Sequence, residues 1–130
     1  MVRSVFFLAA QDIHSGPSLN DCSVQRILEA IPVPAFPAQL DALPLVCLLK
    51  RDPTDAAQST CRLTLTVDQV VLAQRSFDVD FGQSLQHRFT LHLTAITLPK
   101  PGTLQLQLDV LDQPVANYEI ALVQQDRPIR

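Results

Sequence analysis

The chain has 130 residues, of which 47% are hydrophobic, and it carries a formal net charge of −3. This length is typical of one domain, here residues 1–130, with enough apolar surface to fold without disulfides or metals. Its ten basic residues form no basic run, which disfavours nucleic acid as a partner because that binding needs concentrated positive charge. No stretch approaches the ~18 apolar residues of a membrane-spanning helix, so we expect no membrane association.

The first predicted element is a strand at Val2–Ala9, which is apolar on both faces and therefore expected to be central in a sheet. Its apolar run, Val5–Ala10, is shorter than the ~7–15 residues of a signal-peptide core. We therefore expect a soluble cytoplasmic protein.

The next segment, Leu19–Ile31, fits two structures. Its apolar residues have helical spacing, and Asn20 or Asp21 could cap such a helix at its N-terminus. The same residues also fit a strand whose alternation is interrupted by one polar residue. Periodicity alone leaves both open. The closely spaced prolines that follow predict an extended or irregular connection over Pro32–Pro44, neither a helix nor a central strand.

Two segments share one pattern, "LTLTVDQVVLA" at Leu63–Ala73 and "LQLDVLDQPVA" at Leu106–Ala116. Each alternates apolar and polar residues up to an Asp-Gln pair, which predicts two half-buried hairpins. The turns are expected at Asp68-Gln69 and at Asp112-Gln113. After the second turn we expect Tyr118–Gln124 to form a strand whose edge is open to pairing.

The remaining strands are predicted by the same alternation. Leu43–Leu49 is apolar on both faces, whereas Ser76–Phe81 and Arg88–Ala95 alternate. The apolar positions then shift to Ile96 and Leu98, which predicts a bulge or short bend. About eight strands at spacings near ten residues favour an all-β fold, a single antiparallel β-sandwich of Ig-like or Greek-key type.

Two stretches carry a resemblance to a known family: "SVQRILEAIPVPAFPAQLDALPLVCLLKR" at Ser23–Arg51, and "LPKPGTLQLQLDVLDQPV" at Leu98–Val115. Together they resemble an uncharacterised family of small bacterial proteins, a domain of unknown function whose members end on a "PG-Y-L-L-VDG--V" hairpin. This chain has Leu104 in place of the usual Tyr and Gln113 in place of the turn Gly. The resemblance implies a β-sandwich, favours strand over helix before Pro32, and assigns no functional residue.

A nucleophilic site is the first chemistry to consider. His14 stands near Asp12 in a predicted loop, and with Ser15 or Cys22 it could form a nucleophile system. No local signature supports that geometry, since neither a GxSxG elbow nor a cysteine-protease motif is present. We therefore predict no catalytic residue and a protein that is not an enzyme. Convergence of Asp12, His14 and Cys22 in a pocket would argue otherwise.

Metal, cofactor and sugar sites are equally weakly supported. Three cysteines without CxxC spacing predict reduced thiols and no zinc site: Cys22, Cys47 and Cys61. Two histidines five apart on one strand should face opposite sides: His87 and His92. The acidic residues Asp78, Asp80, Asp109 and Asp112 do not have the spacing of a calcium-binding loop. The chain lacks Trp for sugar stacking, and its three glycines stand apart. We predict no metal and no cofactor.

Two classes of function remain. The first is a non-catalytic protein-interaction or structural module that acts through exposed strand edges or the Pro-rich segment Pro32–Pro44. The alternative is a domain that binds a small ligand, either a carbohydrate or a ligand held in a calcium-dependent way, or a loop-based enzyme. Because the chain has only two lysines to guard its edges, we also expect a homodimer with Tyr118–Gln124 or Pro32–Pro44 in the interface.

Overall fold

Residues 1–125, the part of the chain that the computed structural model describes, fold into nine β-strands and no helix. The strands are β1 (Arg3–Ser15), β2 (Cys22–Ile27), β3 (Ala30–Val33), β4 (Ala38–Lys50), β5 (Gln58–Val67), β6 (Val70–Asp80), β7 (Gln86–Leu98), β8 (Gly102–Val110) and β9 (Gln113–Gln124). No helix in this part of the chain could therefore cross a membrane.

The strands form two packed sheets, a four-stranded sheet in the order β2-β1-β4-β7 and a five-stranded sheet in the order β3-β9-β8-β5-β6. All pairs are antiparallel except β3 with β9, which is parallel. The predicted β-sandwich is confirmed, with one strand more than expected.

The core lies between the sheets, and the alternating leucines of the repeated pattern form a large part of its five-stranded side. Strands β5 and β8 lie side by side with Leu63 opposite Leu108 and Leu65 opposite Leu106, and all four side chains are buried. Because successive residues on a strand face opposite sides, the intervening polar residues face solvent. The sequence repeats itself because two hairpins supply neighbouring strands of one core.

The two hairpin turns each use two residues with positive φ. Asp68 and Gln69 have φ of 48° and 68°, which confirms the first predicted turn. The second turn was predicted one residue too late, because Leu111 and Asp112 form it, with φ of 51° and 64°. Val110 pairs with Gln113, so Gln113 is already part of β9. The predicted bend in β7 lies at Ala95, whose φ is 54°.

The irregular connection predicted over Pro32–Pro44 is mostly wrong. Pro32 lies in β3, and Ala38 to Pro44 belong to β4, a central strand. Strand β4 tolerates Pro44 because the last β1–β4 pair is Ala9 with Leu45, so the missing N–H interrupts no ladder on the β1 side. Only residues 34–37 connect the two strands.

The ambiguous Leu19–Ile31 segment forms strands, as the resemblance favoured. Strand β2 pairs with the end of β1, and β3 pairs with Ala121 to Gln124 of β9. The expectation that Tyr118–Gln124 is an open edge is therefore wrong from Ala121 onward. The apolar pattern of β9 shows that it is a strand, but a pattern cannot show which distant segment will pair with it.

Candidate functional site

The outer face of the five-stranded sheet is a polar ladder. Strand β5 presents Thr60, Arg62 and Thr64 on this face, and the neighbouring strand β6 also carries polar side chains there. Thr60 Oγ1 donates to Asp78 Oδ1 at 3.2 Å, and Gln74 Nε2 donates to Thr64 Oγ1 at 3.2 Å. This face matches the strict alternation of its strands, and it is solvated as alternation predicts.

The outer side of the four-stranded sheet is different, because it carries an apolar groove of about 720 Å³. Phe6 and Leu8 of β1 form its floor with Leu48 of β4, and Cys22 and Val24 of β2 line one side. We call this set of residues, with the loop residues and cations described below, the β1–β4 groove.

A bulge in β1 creates the groove floor. Ser4 pairs with Leu49, a buried core residue, but after the register shift Phe6 pairs with Leu48 on the outer side. Since one extra residue reverses the face of every side chain that follows, Phe6 points outward and Phe7 packs against the core. The bulge therefore transfers a large apolar side chain from the core to the surface.

Two loops rim the groove and each presents a leucine. Leu19 in the loop between β1 and β2 is 90% exposed, and Leu85 before β7 is 40% exposed. Exposed leucines that stand alone are common, but these two border an apolar floor. The apolar surface thus continues from the sheet onto both rims.

Arg88 of β7 holds the first rim loop in place. Its Nε donates to Ser15 Oγ at 3.0 Å, and its Nη2 donates to the carbonyl oxygens of Gly16, Ser18 and Asp21 at 2.7, 3.4 and 3.2 Å. The carboxylate of Asp21 lies against Gly16, so a Cβ atom at that position would have to displace this exposed side chain. All four acceptors are uncharged, so the guanidinium orders the loop without having its charge neutralised.

Lys50 supplies a second positive charge on the same face. Leu48 pairs with Arg88 and Lys50 pairs with Gln86, so Lys50 and Arg88 occupy diagonal positions whose backbones lie about 7–8 Å apart. Within residues 1–125 neither forms an ion pair, and no Asp or Glu lines the groove. The β1–β4 groove is therefore apolar on its floor and cationic at its β4–β7 side.

The residues considered for a nucleophilic site do not come together. His14 is not in a loop, as predicted, but on β1, because β1 extends to Ser15 to pair with β2. His14 lies opposite Ser23, whereas Ser15 lies opposite Cys22, so His14 and Cys22 are on opposite faces of the β1–β2 ribbon. Cys22 lines the groove, while His14 is exposed outside it. The absence of an enzymatic activity stays a prediction.

The other cysteines are core residues. Cys47 and Cys61 are buried, and burial raises the pKa of their thiols to about 12 and about 11. They belong to one apolar cluster, together with Val79 and Phe81. Among the described residues no group of three or more His, Cys, Asp or Glu side chains could hold a metal ion.

The two histidines of β7 face opposite sides, which confirms that prediction. His87 points inward, with its ring centroid 6.0 Å from that of Phe81 and 6.3 Å from that of Phe89, and burial lowers its pKa. His92 is exposed and lies opposite Pro44. His87 thus belongs to the packing between the sheets.

The acids singled out in the sequence lie on the polar face. Asp78 and Asp80 are exposed there, and Asp80 Oδ2 accepts a hydrogen bond from Gln58 Nε2 at 3.4 Å. Asp109 is buried and accepts from Arg62 Nη2 at 3.3 Å, while Asp112 lies 3.7 Å from Arg62 Nη1. These acids maintain a solvated sheet surface.

Sequence reasoning missed the groove, although a signal was present. Val2–Ala9 and Leu43–Leu49 are apolar on both faces, and both were interpreted as fully buried central strands. A sandwich of two sheets covers only one face of each, so a strand that is apolar on both faces exposes apolar side chains unless another element covers them. Two strands that are apolar on both faces, in a fold of only two sheets, thus indicate an apolar surface on the outer face of β1 and β4.

Comparison with known families identifies a matching family. A family model described as a family of unknown function (DUF6941) matches residues 6–123, a range that contains every residue of the β1–β4 groove. No curated protein matches the chain.

Proposed function

Since the chain belongs to the family of unknown function DUF6941, its function has to be inferred from its own geometry, and we propose that it is a non-catalytic protein-interaction module. Its docking surface is the β1–β4 groove. The three free thiols agree with a reducing compartment, and we place the protein in the cytoplasm on that ground.

The contrast between the two outer faces carries this proposal. The outer face of the five-stranded sheet presents Thr, Gln and Asp side chains to solvent. The outer face of the four-stranded sheet presents Phe6, Leu8 and Leu48. Contiguous apolar surface with a polar or charged border is typical of protein–protein contact sites. An aromatic residue and an arginine, both present here, are enriched at such contacts.

A protein suits the groove better than a small ligand does. Small-molecule sites usually enclose about 70–90% of the ligand surface. The β1–β4 groove is an open depression on a sheet face, and its exposed rim residues Leu19 and Leu85 extend the apolar surface outward. A partner with a large surface covers the floor and both rims, whereas a small molecule leaves the rims in water.

Self-association is the second part of the proposal. One of its two predicted interfaces, Tyr118–Gln124, is covered from Ala121 onward, whereas Pro32–Pro44 stays a predicted interface. The end of β9 is covered by β3, so a homodimer cannot use that edge from Ala121 onward. Among the described strands β7 pairs on one flank only, with β4, and it offers a 13-residue edge. Sedimentation equilibrium tests this part, because a mass near the 14.4 kDa of one chain at micromolar concentration contradicts a homodimer.

The docking proposal is tested by comparing what matched variants capture from a lysate of the native cells. Leu19→Ser combined with Leu85→Ser removes the exposed rims, and Val70→Ser removes an apolar side chain of intermediate exposure, 61%, next to the distant β5–β6 turn. We expect a partner that wild type and Val70→Ser retain and that the rim variant loses. If the rim variant retains every captured protein, the groove is not the docking surface.

A further inference from the structure

We propose that the segment bound in the β1–β4 groove is an amphipathic α-helix that carries acidic residues beside its apolar stripe. This inference rests on the proposed function and specifies the partner's chemistry.

The shape of the groove suits a helix. At the groove floor three strands lie side by side, β1, β4 and β7, because β2 pairs with β1 only from Ala10 to Ser15, beyond the end of the β1–β4 ladder at Ala9. Three strands at about 4.8 Å spacing make a face roughly 10 Å across, and a helix with its side chains is about 10–12 Å in diameter. The outward side chains run along β1 from Phe6 and along β4 to Lys50, and the two rim loops border them. A helix laid on this floor contacts Leu8 and Leu48 with its apolar stripe and Leu19 and Leu85 with its flanks.

The charges of the groove favour acidic residues on that helix. Lys50 and Arg88 stand on the β4–β7 side, and within residues 1–125 neither has a carboxylate partner. Arg88 uses Nε and Nη2 to hold the rim loop, and within the same residues its Nη1 has no hydrogen-bond acceptor. A Glu or Asp next to the apolar stripe can accept from Nη1 and from the Lys50 ammonium.

A second copy of this chain is a poorer occupant of the groove. In a two-fold interface the same patch occurs on both sides, so each copy brings the cations Lys50 and Arg88 to a patch that carries the same positive charge. No Asp or Glu among the residues that line the groove offsets these charges. Like charges brought together in this way disfavour the pairing.

The experiment uses two peptides of 14 residues, each locked in helical form by a side-chain bridge because free helices of this length are marginal in water. Both carry the same leucine stripe. One has two Glu residues beside it and the other has two Lys residues in the same positions. Binding to the full-length chain is measured by titration, and backbone and methyl NMR shifts locate the contact. Dodecanoate serves as a third probe.

We expect the Glu peptide to bind about tenfold more tightly than the Lys peptide and to shift the signals of Phe6, Leu8 and Leu48. Lys50→Met should weaken the Glu peptide about two- to fivefold, as for other solvent-exposed ion pairs. Lys100→Met is the matched control, because the only other lysine lies at the β7–β8 turn near Asp68 and should change nothing.

Three results overturn the inference: equal binding of the two peptides, shifts outside the groove, or no peptide binding. Dodecanoate that binds in the groove while the peptides do not would identify an anionic amphiphile as the ligand instead. If the peptides fail but a captured partner still depends on Leu19 and Leu85, the interaction module stands and only the acidic helix is wrong. If both fail, the proposed function fails as well.

Discussion

The two outer faces of this sandwich come from strands of similar length, yet they expose opposite chemistry. On β5 the outward residues are Thr60, Arg62, Thr64 and Thr66, whereas on β1 and β4 they include Phe6, Leu8 and Leu48. Strict alternation of apolar and polar residues along a strand therefore indicates that its outer face is solvated. Where alternation is lost in a fold of only two sheets, the outer face is apolar surface that a partner can cover.

The largest expected effect is a difference in unfolding free energy between Leu→Ala substitutions in the core and in the groove. Leu106→Ala should cost about 2–5 kcal/mol of unfolding free energy, because Leu106 is fully buried between the sheets. Leu48→Ala should cost no more than about 1.5 kcal/mol, because that side chain is only half-buried. Urea denaturation measures both. Equal costs would show that Leu48 is a core residue and that the groove is not an exposed face.

The next effect concerns the polar face and its buried carboxylate. Arg62→Met should cost about 1–3 kcal/mol, because it leaves Asp109, whose side chain is 9% exposed, with only Gln107 as a side-chain donor. Adding Asp109→Leu should recover part of the loss, since no buried charge then remains.

Asp112→Asn is the matched control for that ion pair. Asp112 also faces Arg62, but its side chain is 88% exposed, so the change should stay within about 0.5 kcal/mol. A cost for Asp112→Asn as large as that of Arg62→Met would show that exposed charge, rather than the buried carboxylate, stabilises this face.

A smaller effect is expected at the groove rim. Arg88→Met removes every bond between this side chain and the loop, and should cost about 0.5–1.5 kcal/mol while accelerating amide exchange at Gly16 and Asp21. Arg88→Lys should not restore slow exchange, because an ammonium cannot span the acceptors that the guanidinium spans. Unchanged exchange in both variants would mean that the loop is ordered by its own backbone bonds.

The smallest effect is the contribution of His87 to the pH dependence of stability. Its side chain faces the core, on the side of the sheet opposite to that of Arg88. Burial lowers the pKa of His87 in the folded state, and the nearby Asp80 only partly offsets this. The unfolded chain therefore takes up the proton first, so stability is present above the unfolded pKa of about 6.5 and is lost as pH falls through that value.

His87→Gln should reduce the loss of stability between about pH 7.5 and 5.5, a window that lies above the unfolded pKa of carboxylates near 4. The pKa values of Asp52 and Asp55 are lowered, so their contribution is lost only at more acidic pH. An unchanged pH profile in His87→Gln would show that the imidazole is not desolvated between Phe81 and Phe89.

Much of the fold could be predicted from local patterns. The alternation in Leu63–Val67 and Leu104–Val110 predicted two core strands, and the Asp-Gln pair at 68–69 predicted a turn that the structure has. The opposite orientation of His87 and His92 followed from their odd spacing alone. These inferences succeeded because a strand's two faces and a tight turn are set by residues close together in the chain.

The candidate site could not be predicted in the same way. The groove depends on a bulge between Ser4 and Phe6, on the pairing of Leu48 with Arg88, and on a loop that Arg88 reaches across about 70 residues. The prolines of Pro32–Pro44 were wrongly expected to exclude a central strand, since what matters for Pro44 is how far β1 extends along β4. Each of these features depends on contacts between segments that are far apart in the sequence, and a local pattern does not show such contacts.

Side-chain alternation and turn conformation are local properties, so they already show that this chain is built of strands, which residues of β5 and β8 face the core, and where most turns lie. The cover that β3 gives to the end of β9 and the apolar groove on β1 and β4 follow only from how the whole chain folds. Hydrogen bonding between strands is the same for any pair of partners, so it does not select them. Which strands meet, and which face stays in water, is set by the packing of the whole chain.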